Sequence, residues 1–536
     1  MSSGRPKRGN ARIAQALVAE SRDPLYQFMH REHRPNGKRL KLMMWAALVT
    51  AAFLCGILFT FLPLSFLPML LTPIALLTMF VIWALPRTKS APTKLLTNMY
   101  FAFFVALIVW PNYLAISISG LPWITVIRLI GLPMAAVFLV SISTFPGMRQ
   151  DLNETLNHTP WIWKLFVAFV VVQFLTIPFS SAIFTSFSRF VIAQVNWTMI
   201  FFLSCYIFRV ESRAQMWASL MLIMALLVVV IGGLEWRQSR VLWAGHIPSF
   251  LAVSDEAVQR ILAGTTRLGM FYRTQSTFTT SLSFAEYLAL TTPFAIHFAV
   301  EGRSRSARLA ATMCVPVIFF GVITTDSRLG ALGFFLSLLL YAAVWALRRW
   351  RTNPTSIFGP AIVLGYPLLF GGFVLATLFN LRLYRMVWGG GQYQFSTDAR
   401  QEQIAMAIPK ILHAPWGHGI GQAADALQFY SPAGLLTIDS YYLTVALEYG
   451  VLGFIVYYGM FAAGIIYGSR AIFRTKSYGT SFIVPAVIAL ANFIVVKSVL
   501  SQEAGHPLAF MLLGMVVALA YRVNLENTPV ATGQPT

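Results

Sequence analysis

Charged side chains are scarce in this 536-residue chain: Asp, Glu, Lys and Arg make up 11% of it, against 57% hydrophobic residues. A soluble protein of this length cannot hide so much apolar surface, so the composition points to a polytopic membrane protein. Acids are scarcer still, 19 against 40 Lys and Arg, for a net charge of +21. That excess does not signal nucleic acid, because the basic residues fall in short clusters between apolar runs, the positive-inside pattern. The only cysteines, Cys55, Cys205 and Cys314, all lie inside apolar runs. They read as small core hydrophobes, and neither a disulfide framework nor a zinc site fits them. No cleavable signal is expected, since the first 41 residues are polar and basic and the first apolar run is too long. No internal repeat or low-complexity domain is evident, and no serine sits in a nucleophile-elbow motif.

What is present is a series of about 14 apolar runs of spanning length. They lie near 42–62, 63–85, 97–118, 122–144, 161–183, 188–208, 214–233, 280–300, 308–325, 328–348, 357–380, 440–468, 480–498 and 504–521. The tight join at Pro63–Pro68 and the arginine in the fourth run, Arg128, leave 12 or 13 open. The fold class is therefore all-α, a polytopic transmembrane helix bundle. With the basic N-terminus inside, alternation puts Arg87, Arg209, Arg213, Arg303, Arg348, Arg349 and Arg470–Lys476 on the cytoplasmic side. Both termini are then cytoplasmic. The expected organisation is a basic tail (1–41, attracted to anionic membrane lipid), an N-terminal bundle (42–233) and a first long outer loop (234–279). Central helices (280–380), a second long outer loop (381–439), C-terminal helices (440–521) and a cytoplasmic tail (522–536) follow.

Loops that long are commonly functional, because short turns suffice for connection. Within the second, residues 398–412 read as an amphipathic helix with Ile404, Ala405, Ala407, Ile408, Ile411 and Leu412 apolar. Arginines on the outer face break the positive-inside rule and need a local reason. Guanidinium forks onto phosphate oxygens, which suits a diphosphate. The candidates are Arg267, Arg273, Arg328 and Arg400. For Arg328, in a tight turn beside Asp326, an ion pair or a lipid-headgroup contact is the structural alternative. Asp439, at the start of the twelfth run, is either a helix cap or a carboxylate able to take a proton from a sugar hydroxyl. His413 and His418 lack the further ligands a metal would want, so no metal site is expected. Gly417, Gly419 and Gly421 are either a phosphate nest or, better, a loop turn. Glu448, Gly450 and Gly453 fit close helix packing around a buried acid. Glu286, His297, Glu503 and His506 read as packed or interfacial groups.

Thr325-Asp-Ser-Arg328-Leu-Gly-Ala-Leu332 resembles the T-x-S-R-x-x-x-L turn of the O-antigen ligase and polymerase superfamily. Arg400, Pro415-Trp-Gly417-His-Gly419, Asp439-Ser-Tyr-Tyr-Leu443 and Glu448-Tyr-Gly-Val-Leu-Gly453 are similar to its closing pattern of arginine, P-x-G-x-G, H-N-x-x-L and E-x-G-x-x-G. Arg267-Leu-Gly-Met-Phe271 resembles its R-x-x-G-x-F step. The resemblance spans about residues 230 to 470 and implies a C-type membrane glycosyltransferase with its site in the periplasm, needing no metal or cofactor. The implied partners are an undecaprenyl-diphosphate-linked glycan donor and a glycan acceptor, with a chain-length regulator and export machinery beyond them. Arg267, Arg328 and Arg400 match the family arginines, and Arg273 is added from its place in the loop. Where ligases carry His-Asn, this chain has Asp439-Ser440, a form found in exopolysaccharide polymerases. The expectation is a polymerase of lipid-linked repeat units at the bacterial inner membrane, the alternatives being an O-antigen ligase and a polysaccharide flippase.

Overall fold

A bilayer core offers backbone N–H and C=O groups no partners but each other, so apolar runs of spanning length must become helices. The protein is seen in a computed structural model that describes residues 78, 81–82, 85, 91–117, 123–267, 271–353, 355, 357–379, 394–431 and 434–528. The basic tail 1–41, nearly all of the first two expected runs, residues 381–393 of the second loop and residues 529–536 lie outside these. The chain divides into two compact units, one of residues 1–92 and 139–147, the other of 93–138 and 148–536. In the first, Ser143 Oγ donates to the Ile82 carbonyl at 2.8 Å. The second carries every functional candidate.

The helices are α1 (Thr93–Val109), α2 (Val126–Thr144), α3 (Pro146–His158), α4 (Pro160–Phe179), α5 (Ile183–Ile207), α6 (Arg213–Gln238), α7 (Glu256–Ala263) and α8 (Ser281–Glu301). After them come α9 (Arg305–Thr324), α10 (Arg328–Thr352), α11 (Phe358–Phe379), α12 (Gln394–His413), α13 (Ala423–Leu427), α14 (Tyr441–Ile472), α15 (Tyr478–Lys497) and α16 (His506–Asn527). Ten helices among the described residues are long and apolar enough to cross a membrane. Every expected run from 97–118 onward meets a helix, the first of them ending early at Val109, so the chain is an all-α, multi-pass membrane protein. Helix α3, polar and unforeseen, lies where its Asp151 and Glu154 pair with Arg209 at 3.1 and 3.6 Å. Two short strands, β1 (Thr265–Arg267) and β2 (Phe271–Arg273), pair antiparallel as a hairpin.

Which helices are central is decided by small and polar groups, since lipid tails are as apolar as a protein core. Asn492 of α15 donates to the carbonyls of Ala289 and Gly333 at 3.1 Å and to Ser337 Oγ at 2.6 Å. This knots α8, α10 and α15 together. Gly330 and Gly333 let α10 close on α8, where a Cβ would come within 2.8 and 2.6 Å of the Ala285 and Ala289 methyls. His297 bridges Tyr341 and Ser481, 3.0 Å from each hydroxyl. By contrast, α11 shows Phe358, Leu364, Leu368 and Phe379 outward.

The long connections gather at one end of the bundle. Thr277 Oγ1 reaches the Ile108 carbonyl at the end of α1, and Tyr442 at the start of α14 reaches the Ile494 carbonyl near the end of α15. The opposite end holds basic residues with their partners, including Arg348 on Glu301 at 2.8 Å. Helix α12 is longer than the expected 398–412, and the structure divides its apolar residues. Ala407 and Ile411 pack with Leu427 and Leu447, while Ile404, Ile408 and Leu412, four apart, face outward.

Candidate functional site

The Arg328 turn is built from its own short polar side chains. Ser327 caps α10 by accepting the Gly330 N–H at 3.2 Å, and Thr325 Oγ1 turns back to the Val322 carbonyl at 2.6 Å. Asp326 between them takes a left-handed backbone, φ 46°. Arg328 is thus the first residue of α10. The hairpin comes to this turn: the Thr274 N–H donates to the Thr324 carbonyl at 3.1 Å, and Arg273 Nε to the Thr325 carbonyl at 3.2 Å. Arg267 lies on the other strand, paired with Phe271. The hairpin is held by Glu235, fully buried at the end of α6. Its carboxylate accepts from the Tyr272 hydroxyl (2.6 Å) and the N–H groups of Gln275 (3.1 Å) and Ser276 (2.6 Å).

Arg400 and Asp439 form a second pairing. One turn after Arg400, the buried Gln403 accepts the Asp439 N–H at 2.9 Å. Burial pushes the Asp439 carboxyl above its ordinary value, and the nearby Arg400 guanidinium opposes that without cancelling it. The cap position of α14 belongs to Ser440, not Asp439, and the Ser440 side chain makes no capping bond. Leu329, next to Arg328, packs on Val496 in the last turn of α15 and on Leu500 just beyond it. Tyr441, two residues after Asp439, lies under Lys497 Nζ at 5.6 Å. Both pairings therefore sit at the loop-bearing end, around the end of α15.

The glycine motifs are scaffolding between them. Helix α14 breaks at Gly450, φ 68°. The break leaves the carbonyls of Leu447 and Glu448 to accept the N–H groups of His418 (2.8 Å) and Gly419 (2.9 Å), while the Val451 N–H donates to the Pro415 carbonyl (3.0 Å). Those loop amides are spent on protein, so the phosphate-nest alternative gives way to the turn. Gly417, Gly419 and Gly421 all have φ between 82 and 92°.

Close by is an intramembrane ion pair. Lys497 Nζ lies 2.9 Å from Glu286, both nearly wholly inaccessible, and also donates to the Gln502 carbonyl. A cavity of about 620 Å³ opens beside this network, reached by Arg128, Arg189, Asn112, Asn196, Trp197 and Glu503. None of Arg273, Arg328, Arg400 and Asp439 lines it. Sequence reasoning missed Arg189, although an ionisable residue inside an apolar run is a signal in itself.

A protein-family model described as O-antigen ligase matches residues 313–458, from within α9 through the Arg328 turn, Arg400, the glycine loop and the break in α14. No curated protein matches the chain. Residues 313–458 of this multi-pass membrane protein thus carry an O-antigen ligase-type segment, consistent with the resemblance to the O-antigen ligase and polymerase superfamily.

Proposed function

We propose that the protein polymerises undecaprenyl-diphosphate-linked oligosaccharide repeat units at the periplasmic face of a bacterial inner membrane. The observation that carries this reading is the junction of Arg273 with the Arg328 turn, at the same end of the bundle as Arg400 and Asp439. The acceptor hydroxyl gives its proton to Asp439, and its oxygen bonds to the anomeric carbon of the donor glycan. The bond from that carbon to the diphosphate oxygen breaks, and the departing polyprenyl diphosphate keeps the electron pair. Arg328 and Arg400, with Arg267 and Arg273, stabilise the charge on it by preorganised electrostatics. The raised affinity of Asp439 for a proton supports its role as base, since a base works best when its pKa approaches the working pH. Basic clusters at the opposite end support cytoplasmic termini.

Arg328→Ala and Arg400→Ala are expected to leave the protein in the membrane and abolish polymer. Full-length polymer from both variants would remove the diphosphate role. Purified protein given only the lipid-linked repeat unit separates polymerase from ligase. Chain growth without a second acceptor marks a polymerase; turnover that waits for a lipid A core or another acceptor marks a ligase. Transport of the lipid without any new glycosidic bond marks a flippase.

A further inference from the structure

The cavity beside α5 holds more polar capacity than a packed membrane bundle has reason to keep. Among the described residues, Arg189, two turns into a membrane-spanning helix, makes no side-chain hydrogen bond, and its guanidinium acts on the Glu503 and Glu448 carboxylates only at a distance. Among the described residues, the side chains of Asn112 and Asn196 likewise make no hydrogen bond, and the Glu503 carboxylate, at the mouth of α16, accepts none. Polar groups at membrane depth that lack hydrogen-bond partners are costly and are kept where a cavity or ligand satisfies them. Two indoles, Trp123 and Trp197, complete the wall.

The helix itself is shaped for this. Residues Gln194–Met199 of α5 form a π turn, a wider turn that recurs at functional sites, and it presents both Asn196 and Trp197. Trp197 is fixed from behind by stacking on His506, ring centroids 5.1 Å apart. Donors, an acceptor and flat apolar rings around about 620 Å³ match a molecule that is hydroxylated at its edges and apolar on its faces. A prenyl chain needs none of these polar groups, and a bare diphosphate would meet Glu503.

We infer that this cavity is a saccharide subsite, seating a sugar of the lipid-linked glycan apart from the arginines of the Arg328 turn. The identity of the glycan rests on the proposed glycosyl transfer; the subsite rests on the cavity. Ile192 and Ala504 line the cavity without supplying polar side chains, so Ile192→Cys and Ala504→Cys serve as reporters for a membrane-impermeant maleimide. The full-length chain in a non-glycosidic detergent, with its native cysteines as the blank, is labelled alone, with undecaprenyl diphosphate, and with the polyprenyl-linked glycan extracted from its source membranes.

The glycan lipid is expected to slow labelling of both reporters by about tenfold, the free fraction left at roughly ten times Kd. Undecaprenyl diphosphate is expected to leave the rates unchanged. Adding Asn196→Ala or Glu503→Gln to either reporter should remove the protection. Equal protection by both lipids would overturn the subsite in favour of an anion or prenyl site. Reporters that never label, or that label equally with and without glycan lipid, would overturn it too. If the same preparation still extends the glycan, only the subsite falls; if it does not, the transfer reading falls with it.

Discussion

The N–H of Gly419 donates to the carbonyl of Glu448 across 2.9 Å, joining the P-W-G-H-G loop to the E-Y-G-V-L-G helix in one hydrogen-bonded unit. Each motif supplies what the other lacks. The break at Gly450 frees helical carbonyls that must find donors in a medium without water, and the loop's amides are those donors.

That unit depends on glycine at position 450. A Cβ there would lie 2.0 Å from the Pro415 carbonyl oxygen, and the backbone has φ 68°. The backbone strain alone is worth about 1–3 kcal/mol. Gly450→Ala is expected to lower the melting temperature in detergent sharply, or to prevent accumulation of folded protein. Gly365→Ala, with open space around its Cα, should match wild type in the same intrinsic-fluorescence melt.

Glu235→Ala leaves two backbone N–H groups and a tyrosine hydroxyl without their acceptor. Each orphaned group costs about 1–3 kcal/mol. Cleavage within residues 264–280 by limited proteolysis should become markedly faster, and Glu235→Gln, which keeps one acceptor oxygen, should fall between the two. Unchanged proteolysis would mean the hairpin is held by other contacts.

Lys497→Met strands the Glu286 carboxylate in the bundle interior. Breaking a buried pair from one side typically costs about 3–5 kcal/mol, whereas replacing both partners with apolar groups is often neutral. The single variant should melt well below wild type, and Lys497→Met with Glu286→Leu should recover most of the loss. A double variant as weak as the single would argue that the pair itself is favourable.

Asp439 binds its proton more tightly in the folded protein than in the unfolded chain. Such a group contributes stability below its unfolded pKa and loses it as pH rises through the folded value. At neutral pH its charge is therefore a burden, and Asp439→Asn should melt higher than wild type there. The gain should vanish as pH falls below the ordinary carboxylate range. Activity should move the other way: lost in Asp439→Asn, and lost in wild type on acidification earlier than an ordinary carboxylate would dictate. A variant that is equally stable and fully active would remove Asp439 from the chemistry.

Much of the architecture was legible because hydropathy is a strong signal in a bilayer: each run from 97–118 onward meets a helix. The Arg328 turn could also be read locally, since Thr325, Asp326 and Ser327 make their bonds within a few residues. Helix α12 was only half legible. Its apolar residues were visible, but their division between Leu447 and the exterior depends on a partner helix far along the chain. Arg189 and Asn196 were overlooked because a single polar residue in an apolar run does not say whether it meets protein, lipid or a cavity.

The sequence by itself determined a multi-pass helical protein, the loops in which polar chemistry is concentrated, and motifs that resemble those of the O-antigen ligase superfamily. Only the tertiary structure decided that Arg273 docks on the Arg328 turn, that Gln403 takes the Asp439 N–H one turn after Arg400, and that the glycine motifs fasten to each other. The physical reason is range. Hydropathy and caps act within one helix, whereas these hydrogen bonds join residues as far apart as Arg273 and Thr325, whose proximity exists only once the helices have packed.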